Sequence, residues 1–519
     1  YFNKDISESK KGSSWRYRYQ SLEDVPFQNW PEAALIYSAQ DSTWALRCFR
    51  EQRRAKGFVQ YFNGQEYQLY DTAADVVNDE LPQTKAAMSL HLMAMFGVCT
   101  DSLAVQEFEA RVTNKASECA KAGERAGFIR IDGTKDMKVL RGLVAEAYRD
   151  NPPLTQKGSI KTDSKTLLES GHSDLVEYAQ GSGAQKLLNT YLPILKSGTQ
   201  HAITSRPNVL VRSGRTSWER PNFQNPPREG GFRECFIPAK DFVFCAVDYS
   251  SIELRALAQV QLTWFGESRL AEAFQDGLDP HLWFGAKLLG MDYKEALDHY
   301  KDQGSPMHKE VKRKRSLAKV ANFGYPGGLS ARTFVQYCVG YGVHISNFEA
   351  AELQQEWLNT WDLGRYFNNI RHWTKLGSST IVQHASNRIR GDVTYTSACN
   401  TFFQGLTADG IKAAMWRLTK ACYLNEGNFH TVNPWVMIHD EIIAEGPERT
   451  AHLWGPDMAK IMIEEMQKFI PDIPIEAEPA LMRRWYKDAQ PVFKKGKLSV
   501  WEPQNVRTKF VEIGKRPPS

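Results

Sequence analysis

Long apolar runs are missing from this sequence: none approaches the roughly 18 residues that a bilayer-spanning helix needs, which excludes a helical membrane protein. Cysteine pairs are missing too. The 8 cysteines (Cys48, Cys99, Cys119, Cys235, Cys245, Cys338, Cys399 and Cys422) show neither a CxxC pair of zinc spacing nor the density of a disulfide scaffold, so a reducing compartment is expected. There is no initiator Met, no signal-peptide stretch and no transit-peptide composition; the chain opens Tyr1-Phe2-Asn3-Lys4 and is expected to begin inside a larger protein. Internal repeats and low-complexity tracts are also lacking. Charge of one sign is scarce: 65 Lys and Arg against 60 Asp and Glu leave +5, which suits a polyanionic partner without requiring one. What is present is 519 residues, 42% hydrophobic and 24% charged, the composition of a globular chain long enough for several lobes with cores of their own.

Ala33, Ala34, Ile36, Tyr37, Trp44, Leu46 and Phe49 recur at helical spacing and read as the last helix of a domain cut off upstream. Residues 85–150 are rich in good helix formers. Between 151 and 200, Pro152, Pro153, Gly158, Gly171, Gly181 and Gly183 interrupt lysine-bearing segments, the texture of a mobile basic subdomain whose Lys157, Lys161, Lys165 and Lys186 either track duplex phosphates or form an ordinary solvated surface. From 205 on, short apolar strands alternate with helices, an α/β or α+β texture.

Two strands end in acids. Phe242 to Val247 is apolar and stops at Asp248-Tyr249-Ser250-Ser251-Ile252-Glu253; Val436-Met437-Ile438 and Ile442-Ile443-Ala444 flank His439-Asp440-Glu441, which reads as a hairpin with carboxylates at its tip. A lone acid at a strand end commonly does no more than terminate it at a turn. Two such acids at adjacent ends of one sheet suit a pair of Mg²⁺ ions about 3.5 to 4 Å apart, clamping an in-line phosphoryl displacement. Between them lies a strongly helical segment running to Gly324, in which Arg315, Lys319 and Phe323 fall four apart and share a face. A guanidinium, an ammonium and an aromatic plane in that order match triphosphate oxygens followed by a base or sugar. A solvated basic helix is the plainer alternative for the Lys/Arg run alone.

Asp248 to Arg255, Arg315 to Gly324 and His439-Asp440-Glu441 resemble, in order, the three polymerase motifs of the DNA polymerase I family (family A). Gly214-Arg215-Thr216, Pro221-Asn222-Phe223-Gln224-Asn225, Asp279-Pro280-His281 and Asn400 with Gln404-Gly405 match as well. The resemblance implies an α+β right-hand polymerase fold with an antiparallel palm sheet, fingers and thumb, preceded by the remnant of an exonuclease-like domain. Its implied layout is that remnant over 1–60, a linker over 61–89, the thumb over 90–205, palm over 206–264, fingers over 265–375, palm again over 376–490 and a tail over 491–519. It implies a template-directed DNA polymerase that adds dNTPs to a primer in replication or repair with two Mg²⁺ ions, Mn²⁺ being a substitute. Asp248, Asp440 and Glu441 would be catalytic, with Asp248, Tyr249 and Asp440 as the metal set. Lys319 would give the proton to pyrophosphate; Arg315, His281, Phe323, Glu253 and Tyr249 would bind the nucleotide, Glu253 as the steric gate against a 2′-hydroxyl. Arg215, Asn222, Gln224, Asn225, Asn400, Gln404 and His439 would contact DNA, in a minor groove whose pattern is too degenerate to read sequence. The implied partners are primer-template DNA, dNTPs and other replication proteins, for a monomer without a membrane, in bacterial or phage-infected host cytoplasm.

The chain also departs from the family pattern. Gly327 stands where relatives carry a tyrosine one turn past the phenylalanine, and Pro326 disfavours continued helix, so the helix should end early. Tyr325 or another aromatic is expected to compensate for that template-base gate. The Gly324-Tyr325-Pro326-Gly327-Gly328 string looks like some bacteriophage members. Ser251 replaces a usual glutamine, with activity expected to survive. Tyr37 and Asp41 resemble the last motif of the family's 3′ to 5′ exonuclease; a truncated exonuclease without its earlier carboxylates should not proofread. The tail lysines are expected to add nonspecific DNA affinity. A single-subunit RNA polymerase, a reverse transcriptase and a non-catalytic DNA-binding scaffold are the alternatives.

Overall fold

The computed structural model describes residues 15, 18–22, 25–54, 57–60, 66–70, 80–149, 151–155, 157–227, 231–375 and 380–503. Two packed units are resolved, one of residues 1–84, 253–406 and 471–473, the other of residues 85–252, 407–470 and 474–519.

The second unit contains a four-stranded antiparallel sheet. Its strands β1 (Phe242–Tyr249), β2 (Asn433–Ile438), β3 (Glu441–Pro447) and β4 (Ala477–Met482) lie in the order β2-β3-β1-β4. The apolar run of β1 follows from its central place: a strand paired on both edges and covered on both faces needs no alternation, and Val243 to Val247 are all buried. One face packs on the helix Ala451–Gln467, where the Tyr249 hydroxyl donates to the Met462 carbonyl at 2.6 Å. On the other, Phe244 meets Trp435 at 5.7 Å between ring centroids. Alternation along β1 therefore sends Asp248, two residues past Ala246, to the Phe244 side.

The same unit holds the segment expected to be the thumb. Asp101 caps the helix Ser102–Arg125 by accepting from the Ala104 N–H at 2.8 Å, which satisfies a donor the helix itself leaves unpaired. Cys119 and Ala122 of that helix share a core with Leu140, Val144, Leu167, Leu175 and Tyr178. The helix Glu80–Phe96 covers the end of the stretch read as a linker. At the other end, the first part of the expected tail is no loose appendage: Val492–Lys494 and Lys497–Ser499 form a hairpin, Leu498 is buried, and the Trp501 N–H donates to the Leu481 carbonyl of β4. Residues 504–519 lie outside the described residues.

The first unit is helical around the face that carries Arg315, Lys319 and Phe323. Its helices include α1 (Pro280–Lys287), α2 (His308–Gly324), α3 (Ala331–Val339) and α4 (Asn347–Trp361). A Cβ on Gly285 would sit 2.9 Å from the Arg315 backbone nitrogen, so this glycine is what allows α1 to lie directly against α2. Ser346 and Glu349 form a capping box at the start of α4, each side chain bonding the other's backbone N–H. Tyr37 lies in the helix Glu32–Arg54, while the Asp41 side chain falls outside the described residues. Among the described residues no helix is long and apolar enough to cross a membrane, and the described cysteines carry free thiols.

Candidate active site

The carboxylate edge of the second unit is set by strand register. Asp248 pairs directly with Glu441 of β3 on one side and with Glu478 of β4 on the other, so three carboxylates cross the sheet in one row. Directly opposed residues point to the same face. Ile438 and Glu441 close the β2–β3 hairpin, leaving His439 and Asp440 as its two-residue loop. His439 takes φ 56°, the left-handed conformation such a loop requires, at a cost of about 1 kcal/mol for a residue with a Cβ. Burial pushes the half-exposed Glu441 carboxyl up to about 7; Arg233 and Lys487 oppose the rise and Asp440 adds to it. Asp248 is exposed and Asp440 half-exposed.

An all-oxygen carboxylate set at a solvent-facing sheet edge fits Mg²⁺, which keeps several waters and binds through one or two carboxylates together with substrate phosphates. Among the described residues no group of three or more His, Cys, Asp or Glu is placed to hold a metal ion. Tyr249 joins such a site only through its main chain, because its hydroxyl is engaged by Met462 and its ring is buried. Glu478 escaped sequence reasoning. It is the one acid in the short strand Ala477–Met482, a signal too weak to distinguish it from a solvated acid.

Next to the hairpin, Arg215, Gln224, Lys412 and His439 line one recess. Gln224 holds the recess together: its Oε1 accepts from the His439 N–H at 3.1 Å, and its Nε2 donates to the Met437 carbonyl at 3.3 Å. With both ends of its amide engaged and the residue buried, Gln224 fixes the backbone of the His439 loop. Asn222 folds its own loop, its Oδ1 accepting from the Gln224 and Asn225 N–H groups. Burial, and then the Arg215 charge, lower the His439 pKa. Lys412, also missed from the sequence, is buried and donates to the Val209 carbonyl at 3.2 Å.

In the first unit, Arg315, Lys319 and Phe323 lie along one face of α2 as their spacing predicts, and His281 stands beside Phe323 with ring centroids 5.5 Å apart. Asp279 organises this face. Its Oδ1 caps α1 by accepting from the His281 and Leu282 N–H groups at 2.8 and 3.2 Å, Pro280 fills the first helical position, which needs no donor, and Oδ2 takes the Arg315 Nε at 2.8 Å. The guanidinium is further held over the Tyr300 ring. Lys319 is exposed, its Nζ 5.9 Å from the Phe323 ring centre. Asn400 donates to the Thr396 and Gly327 carbonyls, and Gln404 is half-buried on the same helix, Tyr395–Tyr423.

The helix α2 does end at Gly324, and a 3₁₀ turn, Tyr325–Gly327, follows. Tyr325 is not the compensating aromatic. Its ring is buried against Phe334 with centroids 4.1 Å apart, and its hydroxyl donates to the Ala350 carbonyl at 2.8 Å, so it belongs to the core. At Gly327 a Cβ would lie 2.8 Å from the Asn400 amide, so no tyrosine fits there without moving Asn400. α3 brings two aromatics back over Gly324, Phe334, which stacks on Tyr325, and Tyr337. Burial, the hydrogen bond with Tyr341 and the Glu253 carboxylate all push the Tyr337 phenol up.

Residues 103–487 match the sequence profile described as DNA polymerase family A. The chain is 26% identical over 366 residues to DNA polymerase I of Aquifex aeolicus, covering 68% of this chain and 58% of that protein. It is 29% identical over 323 residues to DNA polymerase I of Bacillus caldotenax, covering 58% of this chain and 33% of that protein. The chain thus spans less than two thirds of these relatives' lengths. In fold it is similar to the POL domain of Pol1 from M. smegmatis, solved in complex with DNA primer-template and dNTP, with a TM-score of 0.60 at 22% identity over 78% of this chain and 70% of that one.

Proposed function

The chain belongs to DNA polymerase family A, and from that premise we propose that it extends a DNA primer by template-directed addition of dNTPs. The observation that carries the proposal is the register pairing of Asp248 with Glu441, with Asp440 in the loop beside them. Mg²⁺, or Mn²⁺ in its place, held by Asp248 and Asp440 together with substrate phosphates, would supply the Lewis-acid charge that activates a 3′-hydroxyl and steadies pyrophosphate. The chain's own residues do the rest. Arg315, pre-aligned by Asp279, and His281 bind the triphosphate; Phe323 stacks on the nucleotide; Lys319 delivers a proton to the departing pyrophosphate. Glu253 fills the space a 2′-hydroxyl would need. Arg215 and His439, held by Gln224, join Asn222, Asn225, Asn400 and Gln404 in contacting primer and template.

Primer extension on a primed DNA template with Mg²⁺, run separately with dNTPs and rNTPs, tests this. Extension with dNTPs alone, reduced at least about 10³-fold in Asp440→Ala, is the expected result. Incorporation of rNTPs would move the reading to an RNA polymerase, extension on an RNA template to a reverse transcriptase, and DNA binding without extension to a scaffold.

A further inference from the structure

Four buried side chains behind the cationic face form one directed hydrogen-bond chain. Asn322 is 1% exposed, Trp357 and Trp361 1% each and His281 4%. The indole nitrogens of Trp357 and Trp361 donate to one Asn322 atom at 2.8 and 3.1 Å. An indole N–H can only donate. The atom that receives two of them is therefore the amide oxygen, and the O/N ambiguity that usually attends an asparagine is removed. The other end of the amide is then NH₂. It lies 3.0 Å from His281 Nδ1 and 3.4 Å from the Pro280 carbonyl, a second acceptor that agrees with the assignment. An NH₂ group can only donate, so Nδ1 must accept and carry no proton.

We propose that Asn322 is a positioning residue for His281: clamped by two indoles, it keeps the imidazole proton on Nε2, so that the ring meets the nucleotide triphosphate as a neutral single-hydrogen donor. The proposal rests on the reading of this face as the nucleotide site. The charged groups around the ring agree with it. Burial, with the Arg315 and Lys319 charges, outweighs the Asp279 carboxylate and lowers the His281 pKa to about 4. An imidazolium here would also turn a second N–H against the Asn322 NH₂. The consequence for chemistry is a division of labour: a neutral His281 binds phosphate oxygen without being an acid, leaving the Lys319 ammonium as the proton source on this face.

Ring-¹⁵N histidine labelling of the full chain tests this directly, with His281→Gln identifying the His281 signals among those of the 12 histidines. At neutral pH the expected spectrum has Nε2 protonated, Nδ1 bare and no titration between about pH 6 and 8. Adding a dNTP should shift the Nε2 signal and leave Nδ1 bare. A proton on Nδ1, a midpoint near the ordinary histidine value, or a dNTP response confined to other histidines would each overturn the proposal. In Asn322→Asp the carboxylate still accepts both indoles but cannot donate, so the His281 midpoint should rise by at least about two pH units. The dNTP KM of that variant, divided at each pH by the wild-type value, should then titrate near neutrality, and the effect should vanish when His281→Gln is added. A variant that only loosened the fold would show no His281-dependent titration. If the wild type extends no primer, the polymerase reading fails, while the ring spectrum still decides the tautomer.

Discussion

Arg315 and Lys319 sit one helical turn apart and differ in how they are held. Arg315 is tied to Asp279 and stacked over Tyr300, whereas Lys319 is exposed. That contrast suits a fixed phosphate clamp beside a proton donor that must reach its acceptor. In Lys319→Ala we expect kcat for primer extension to fall about 10² to 10⁴-fold, with a smaller change in dNTP KM, measured by single-turnover kinetics. Glu253→Ala should lower the preference for dNTP over rNTP by at least about tenfold in kcat/KM, since it removes bulk from the space of a 2′-hydroxyl. His281 also carries a pH dependence of stability. Its folded pKa of about 4 lies below the ordinary 6.5, so the native state binds fewer protons than the unfolded state between those values. The associated stability is complete above about pH 6.5 and is lost as pH falls towards 4, amounting to about 3 kcal/mol. Denaturant titrations of wild type and His281→Gln across that range should show the wild type losing this extra amount.

At the scale of elements, the junction after α2 departs from the family pattern and has a clear physical cause. Pro326 cannot continue the helix, Gly327 lies against the Asn400 amide, and Tyr325 turns inward to hydrogen-bond the Ala350 carbonyl of α4. Tyr325→Phe removes the hydroxyl's bond to a carbonyl that α4 already engages within the helix and should cost about 0.5 to 1.5 kcal/mol in denaturant unfolding, with primer extension and fidelity unchanged. A loss of fidelity at full stability would return Tyr325 to the template-base role. The β2–β3 hairpin shows the converse case. There the two apolar runs, the loop length and the acids at the tip agree, and Ile438 pairs with Glu441 across the two-residue loop they imply.

For the whole molecule, a net charge of +5 is small for a partner as charged as duplex DNA, so affinity must come from local clusters of cations. Binding to primer-template should still weaken steeply with salt, with log K against log[salt] falling at a slope of about −4, measured by fluorescence anisotropy. A slope near zero would leave the lysines of residues 151–200 as solvated surface. The apolar strand that carries Asp248, the acidic hairpin, the face of Arg315, Lys319 and Phe323, and the early end of α2 were legible without the fold, because each is set by local periodicity and by proline or glycine chemistry. What depends on which segments meet emerged from the folded chain. It opposed Glu478 to Asp248 across β4, engaged Gln224 with His439, sent Tyr325 into the core, tied the start of the tail to β4, and brought Trp357 and Trp361 to Asn322. Those pairings join residues far apart in the chain through register and packing, which no local pattern encodes.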